Sequence, residues 1–193
     1  MKARPILFNT EMVQAILSGK KTCTRRICKD GNDYTVPDMD FYNNDKRTYA
    51  VHNYADKEHT DQLSVAERTC PICKGDVLYV RETWCDDRQF THEDTTSRYF
   101  YKATSMSDFF PKWQPSIHMP KEAARIWLKV TDVRIERLHD ITDEQIRKEG
   151  FIPEVQGNIT FKWLWDSTVK KADINTNGWK ANPWVWVIEF IRC

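Results

Sequence analysis

Segments with β propensity are scattered along the whole of this 193-residue chain, and only short helical stretches separate them. A parallel α/β sheet needs a crossover of roughly a dozen residues or more, usually a helix, between successive strands, so the pattern argues against that architecture. Arg4 to Asn9 reads as a short strand with Ile6 and Phe8 on one side. After the turn signal Lys74-Gly75-Asp76, Val77 to Trp84 is rich in strand-forming residues, and Arg98 to Ala103 reads as its neighbour. Ala124 to Arg137 alternates through Ile126, Leu128 and Val130, then shifts by one residue to Val133 and Ile135, which predicts a bulge near Asp132. Trp184 to Arg192 forms a last apolar strand after Asn182-Pro183. The expected fold is α+β: a mixed or antiparallel curled sheet closing as a small barrel, with short helices packed outside.

The helices are few. Thr10 is a good N-cap for a helix whose Met12, Val13, Ile16 and Leu17 follow helical spacing, and Gly19 is the stop. Thr142 caps a second, with Asp143 and Glu144 in its first turn and Gly150 past its end. Phe161 to Lys170 is a third, on weaker patterning.

The length suits one domain, 1–193, and 40% hydrophobic residues suffice for a core. From Asp30 to about Arg68 the chain turns polar, rich in Asp, Asn and Tyr and without periodicity. That segment is expected to be an insertion, either with structure of its own or acting as a mobile flap. No run approaches the roughly 20 apolar residues of a membrane span, so no membrane partner is expected. The N-terminus has no signal-like apolar run, which leads to the expectation of a cytoplasmic protein; no obligate protein partner is evident.

Charge is balanced overall, with 29 Lys and Arg against 28 Asp and Glu, but unevenly placed. Residues 1–30 hold Lys2, Arg4, Lys20, Lys21, Arg25, Arg26 and Lys29 against Glu11 and Asp30, and the 31–68 segment is acidic. Proteins that grip long nucleic acids usually carry a basic excess. One small basic region suits a small anionic or base-like ligand, or a few nucleotides.

Among the six cysteines, Cys70-Pro-Ile-Cys73 has the CxxC spacing that lets two thiolates share a metal. No second pair stands at that spacing, although Cys85, His52 or His59 could complete a site in space. The other reading is two thiols leading into a turn, and the expectation is no metal and no cofactor.

The densest chemical signal is Ser18-Gly19-Lys20-Lys21-Thr22-Cys23-Thr24-Arg25-Arg26. A lysine serves as a base when burial or neighbouring positive charge discourages its ammonium, and Lys20, Arg25 and Arg26 supply such charge to Lys21. A nearby threonine hydroxyl is then a candidate nucleophile. The same residues also read as a solvated basic strand after a helix. A phosphate-binding loop is excluded, because Gln14 stands where its first glycine is required. Glu149 ends the Thr142 helix, where a carboxylate meets the negative end of the dipole; it reads as a functional site or as a solvated side chain. Arg81 and Glu82 alternate, so at most one points inward, and an inward Arg would need an anion. His118, within Ser116-Ile117-His118-Met119-Pro120, suits either a ligand or a backbone carbonyl. Trp84, Trp127, Trp163, Trp184 and Trp186 belong mainly to the core, with one or two free to line a cleft and stack on a base.

Taken together, Arg4-Pro5-Ile6-Leu7-Phe8, Gly19-Lys20-Lys21-Thr22-x-Thr24-Arg25-Arg26, Gly75-Asp76-x-Leu78-Tyr79-Val80-Arg81-Glu82-Thr83-Trp84 and Ser116-Ile117-His118-Met119-Pro120 resemble the ASCH domain, in the longer form common in bacteriophages and prophages. The resemblance spans most of the chain outside 30–68 and roughly 86–97. It implies a PUA-like fold, a small mixed β-barrel with flanking helices and a cleft for RNA or modified bases, at work in a bacterial host cell.

A compact bacterial branch of the family removes the acetyl group from N4-acetylcytidine with a Lys, a Thr three residues on, and a Glu from a later helix. By that resemblance Thr24 is the nucleophile, Lys21 its base, and Glu149 positions or shares protons with the pair. Arg26, Arg81, Glu82, Ser116 and His118 are then substrate-binding candidates. The implied function is hydrolysis of a modified pyrimidine nucleoside, N4-acetylcytidine to cytidine and acetate, on a free nucleoside or within a short RNA. The alternatives are a non-catalytic module that reads RNA or a modified base, and a ribonuclease. This chain departs from the compact branch in being nearly twice as long, in the 31–68 insertion, and in Arg25, where a small apolar residue is common.

Overall fold

The computed structural model describes residues 3–28, 42–43, 48–53, 64–69, 71–86, 99–105, 112–151 and 160–193. Its centre is a five-stranded sheet built from β1 (Arg4–Leu7), β2 (Cys23–Ile27), β6 (Val77–Arg81), β9 (Trp127–Arg137) and β10 (Trp184–Arg192), in the order β1-β6-β9-β10-β2. β1 and β6 run parallel, and every other neighbouring pair is antiparallel, so the sheet is mixed. Between Glu189 and Phe190 the β9–β10 register steps from Asp132 to Val130, leaving Thr131 as the extra residue of the bulge expected near Asp132.

A closed barrel was expected, and the sheet stays open. β1 and β2 are its two edges, and among the described residues no ladder joins them. Helix α1 (Thr10–Leu17) connects these edges in sequence, and its Val13 and Ile16 enter the same core as Ile6, Phe8, Leu78, Trp186 and Phe190. Instead of a ladder, the Arg26 side chain spans the gap: Nη2 donates to the Leu7 carbonyl at 2.8 Å.

From Trp184 to Ile188 β10 is buried on both faces, which explains the apolar run there. Trp184, Trp186, Ile188 and Phe190 face the α1 side, whereas Val185 and Val187 pack with Leu138, Phe151, Phe161 and Trp165 on the other. Each such fully buried side chain contributes about 1.5–3 kcal/mol. The second cluster draws in the ends of α2 (Asp143–Lys148) and α3 (Phe161–Thr168), forming an outer layer over β2 and β10.

Local chemistry sets the helix ends. Asn9, not Thr10, caps α1, its side chain accepting from Met12 N at 2.8 Å, so Thr10 becomes the first helical residue. Thr142 caps α2 in a capping box with Gln145. The β run expected from Val77 to Trp84 breaks at Glu82 and Thr83, and β7 (Trp84–Asp86) then pairs with β8 (Tyr99–Tyr101). The remaining strands, β3 (Tyr42–Asn43), β4 (Thr48–Asn53) and β5 (Ser64–Thr69), form a three-stranded antiparallel sheet within the segment read as an insertion, the rest of which lies outside the described residues. Among the described residues no helix is long and apolar enough to cross a membrane.

Candidate functional site

Gly19 ends α1 with φ +74°, and the amides of Lys20 and Lys21 both donate to the Ala15 carbonyl, at 2.9 and 3.0 Å. The chain then meets the end of α2 in a short antiparallel bridge, Lys21 opposite Glu149, with Thr22 N donating to Lys148 O at 2.8 Å. Gly150 makes this approach possible. Its φ is +82°, and a Cβ there would lie 2.8 Å from Ala15 Cβ and 3.0 Å from Lys21 Cβ. Gly150→Ala is therefore expected to cost about 2–5 kcal/mol, from left-handed strain plus overpacking, measured as a lowered urea midpoint. A change under about 0.5 kcal/mol would show that the packing is not tight there.

Beneath this junction lies a buried ion cluster. Lys21 Nζ donates to Glu149 Oε2 at 2.6 Å and to the Glu149 carbonyl at 2.9 Å. The Lys21 and Arg25 side chains are 0% exposed and that of Glu149 is 7% exposed. Arg25 Nη1 reaches Glu149 Oε1 at 3.2 Å, while Nη2 divides between Glu136 Oε2 at 3.3 Å and Gln145 Oε1 at 3.1 Å. Gln145 is the capping-box residue of α2, so the cap that starts the helix also positions an acceptor for Arg25. Burying three charges is costly unless each is partnered, and here each is. The reading of this segment as a solvated basic strand does not hold: Lys21, Thr24 and Arg25 are all buried.

Strand alternation places Thr24 and Arg26 on one face of β2 and Arg25 on the other. All three, with Glu149, line a cavity of about 470 Å³ at the free edge of β2. Met12 and Ala15 from α1, Phe151, and Phe161, Trp163, Leu164 and Trp165 of α3 and its start complete most of the wall. Trp163 is 59% exposed, whereas Trp165 is buried, so the first stands free to close on a ligand and the second anchors the helix. Thr24 Oγ1 has no hydrogen-bond partner among the described residues. Arg26 lies against the Phe8 ring at 5.3 Å, and burial pushes its guanidinium below the ordinary arginine value, with Glu149 opposing the shift.

The other candidates gather elsewhere. Glu82 is 1% exposed and accepts a two-pronged contact from Arg125 Nε and Nη2, both at 2.9 Å. Arg125 also lies over the Tyr101 ring at 4.0 Å. Arg81 Nε donates to the Met119 carbonyl at 2.6 Å. Ser116 and His118 sit in a 3-10 turn, Ser116–His118, with His118 exposed. None of Arg81, Glu82, Ser116 and His118 lines the cavity of Thr24 and Glu149. Alternation correctly limits the inward pair to one residue, but the buried one is the acid, and its partner Arg125 was not anticipated. Arg25 was read only as neighbouring charge; its place at the centre of the cluster depends on Glu136 and Gln145, over a hundred positions away.

Cys23 is buried beside the cluster, and burial, with Glu149 nearby, pushes its thiol up to about 12. It is expected to resist alkylation at about pH 8 while folded and to react on unfolding, whereas exposed Cys193 reacts in both states. Peptide mapping after iodoacetamide treatment reads this directly, and rapid labelling of native Cys23 would contradict the burial. Cys70 lies outside the described residues, and Cys73 N donates to Asp76 Oδ2 at 3.1 Å. Among the described residues no group of three or more His, Cys, Asp or Glu is placed to hold a metal. No family model matches the chain, and neither a curated protein nor a solved structure matches it.

Proposed function

We propose that this chain is an ASCH-type hydrolase with a PUA-like fold that cleaves the amide of N4-acetylcytidine, releasing cytidine and acetate. The observation that carries this reading is the Lys21–Glu149 pair, 2.6 Å apart, in which buried Lys21 backs a carboxylate that lines the same cavity as Thr24. A pocket that only binds gains little from two charges placed where a ligand does not contact Lys21, whereas proton transfer uses such a pair. A volume of about 470 Å³ with aromatic walls also suits a single stacked nucleobase and its sugar.

In this mechanism Lys21 passes a proton to Glu149 and becomes a neutral amine. With Lys21 Nζ turned from Glu149 toward Thr24, Oγ1 adds to the acetyl carbonyl carbon as its proton moves to that amine. Collapse of the adduct breaks the bond to the exocyclic nitrogen, which leaves as the amine of cytidine carrying the proton held by Glu149 at the cavity wall, so that Lys21 and Glu149 return to their charged forms. Water then hydrolyses the threonine ester, giving acetate and restoring the hydroxyl. Arg25 holds Glu149 in place throughout by its contact at 3.2 Å.

The test is Lys21→Met, which removes the amine and keeps an unbranched side chain of similar length. Chromatography of N4-acetylcytidine turnover is expected to show a loss of about a hundredfold or more, with circular dichroism unchanged. Turnover within about twofold of the parent protein would remove Lys21 from the mechanism.

A further inference from the structure

Arg25 and Arg26 line the cavity and Lys21 lies behind Glu149; two of these three cations are committed. Lys21 is paired with Glu149, and Arg25 with Glu149 and Glu136. Both Glu149 oxygens are thereby occupied, Oε2 by Lys21 and Oε1 by Arg25. Arg26 is different. Among the described residues it forms no ion pair, and one nitrogen, Nη2, is used on the Leu7 carbonyl. A guanidinium has five N–H donors, so most of its capacity is unspent, and none of its nitrogens is sealed from solvent without a partner.

Its position matters as much as its charge. The contact to Leu7 draws the guanidinium away from β2 toward the opposite sheet edge, while Thr24, two residues earlier on the same face, remains on β2. The cation therefore lines the cavity between the two sheet edges, over the Phe8 ring at 5.3 Å. A partly desolvated charge with no ion-pair contact is unfavourable, and the lowered guanidinium value at Arg26 reflects that burial, which Glu149, already paired with Lys21 and Arg25, only partly opposes. Glu11, the other uncommitted charge on the wall, is exposed in the first turn of α1, where water screens it.

We infer that Arg26 is an anion subsite for a phosphoryl group attached to the cytidine, so that the cavity takes a nucleotide in preference to the bare nucleoside. This rests on the reading of the cavity as a modified-cytidine site. It extends that reading from the base to the phosphate, whether a terminal monophosphate or the phosphodiester of a short RNA. Arginine favours this chemistry because its planar fork matches two phosphate oxygens.

The experiment measures binding of reaction products, so it does not depend on turnover. Titration calorimetry compares cytidine, cytidine 5′-monophosphate and a trinucleotide with central cytidine, on the parent chain and on Arg26→Gln and Arg26→Lys. On the parent chain at least one phosphorylated ligand is expected to bind about tenfold or more tighter than cytidine, the scale of a charge-assisted contact. Which one does so distinguishes a monophosphate from a phosphodiester. Arg26→Gln brings the ratio of phosphorylated-ligand to cytidine affinity, measured on the same variant, to about one, and Arg26→Lys restores part of it. Equal binding of all three ligands, a preference that survives in Arg26→Gln, or no binding of any ligand would overturn the subsite. Phosphate-dependent binding without hydrolysis of the acetylated ligands would remove the hydrolase reading and leave the subsite standing.

Discussion

Thr24→Val is expected to reduce turnover of N4-acetylcytidine by about a thousandfold or more while cytidine still binds. Valine matches threonine in shape, so in this buried residue the methyl replaces the hydroxyl at the cavity wall with little repacking. Loss of a buried hydroxyl usually also strands its partner, but Thr24 Oγ1 has none among the described residues, so stability should change by less than about 1 kcal/mol. Kinetics and chemical denaturation on the same preparation separate the two effects. A binding module predicts the reverse pattern, in which Thr24→Val leaves all measured properties close to those of the parent. Turnover preserved in the variant would remove Thr24 as the nucleophile.

Glu149→Ala has the largest expected effect on the fold. It leaves Lys21 and Arg25, both 0% exposed at the side chain, with the shared carboxylate gone. Breaking a buried ion pair from one side costs about 3–5 kcal/mol, because the remaining charge stays desolvated. Arg25 retains Glu136 and Gln145, so Lys21 bears most of that cost. Glu149→Gln keeps an oxygen acceptor for Lys21 and is expected to cost less, about 1–3 kcal/mol, while abolishing proton sharing. Urea unfolding of both variants ranks them. If alanine is no worse than glutamine, water reaches the cluster and the burial described above is incorrect.

Much of the sheet was legible in the sequence because its signals are local. The one-residue shift after Val130 identified the bulge, since a period-two pattern cannot change face without an extra residue. Thr142, with Asp143 and Glu144 in the first turn, announced the start of α2, and the structure adds Gln145 as the other half of a capping box. Closure was not legible: whether two edge strands meet depends on what lies between them, and here α1 and the Arg26 side chain occupy the gap.

The site divides along the same line. Lys21 and Thr24 stood out by their spacing, and Glu149 by its unfavourable place at a helix C-terminus, where Lys21 and Arg25 now account for it. Arg25 and Arg26 looked alike as a basic pair, yet one residue of alternation sends the first into an ion cluster and leaves the second without an ion-pair contact among the described residues. Trp163 and Trp165 are separated in the same way, one exposed and one buried, by their positions on the turn of α3.

The measurement that tests the central claim most directly is identification of the products formed from N4-acetylcytidine. Attack by Thr24 at the acetyl carbonyl yields cytidine and acetate in equal amounts, both visible by chromatography and proton NMR. Uridine with acetamide would place the attack on the pyrimidine ring, and no consumption of substrate would leave the Lys21–Glu149 pair without a catalytic role on this amide; either result contradicts the account.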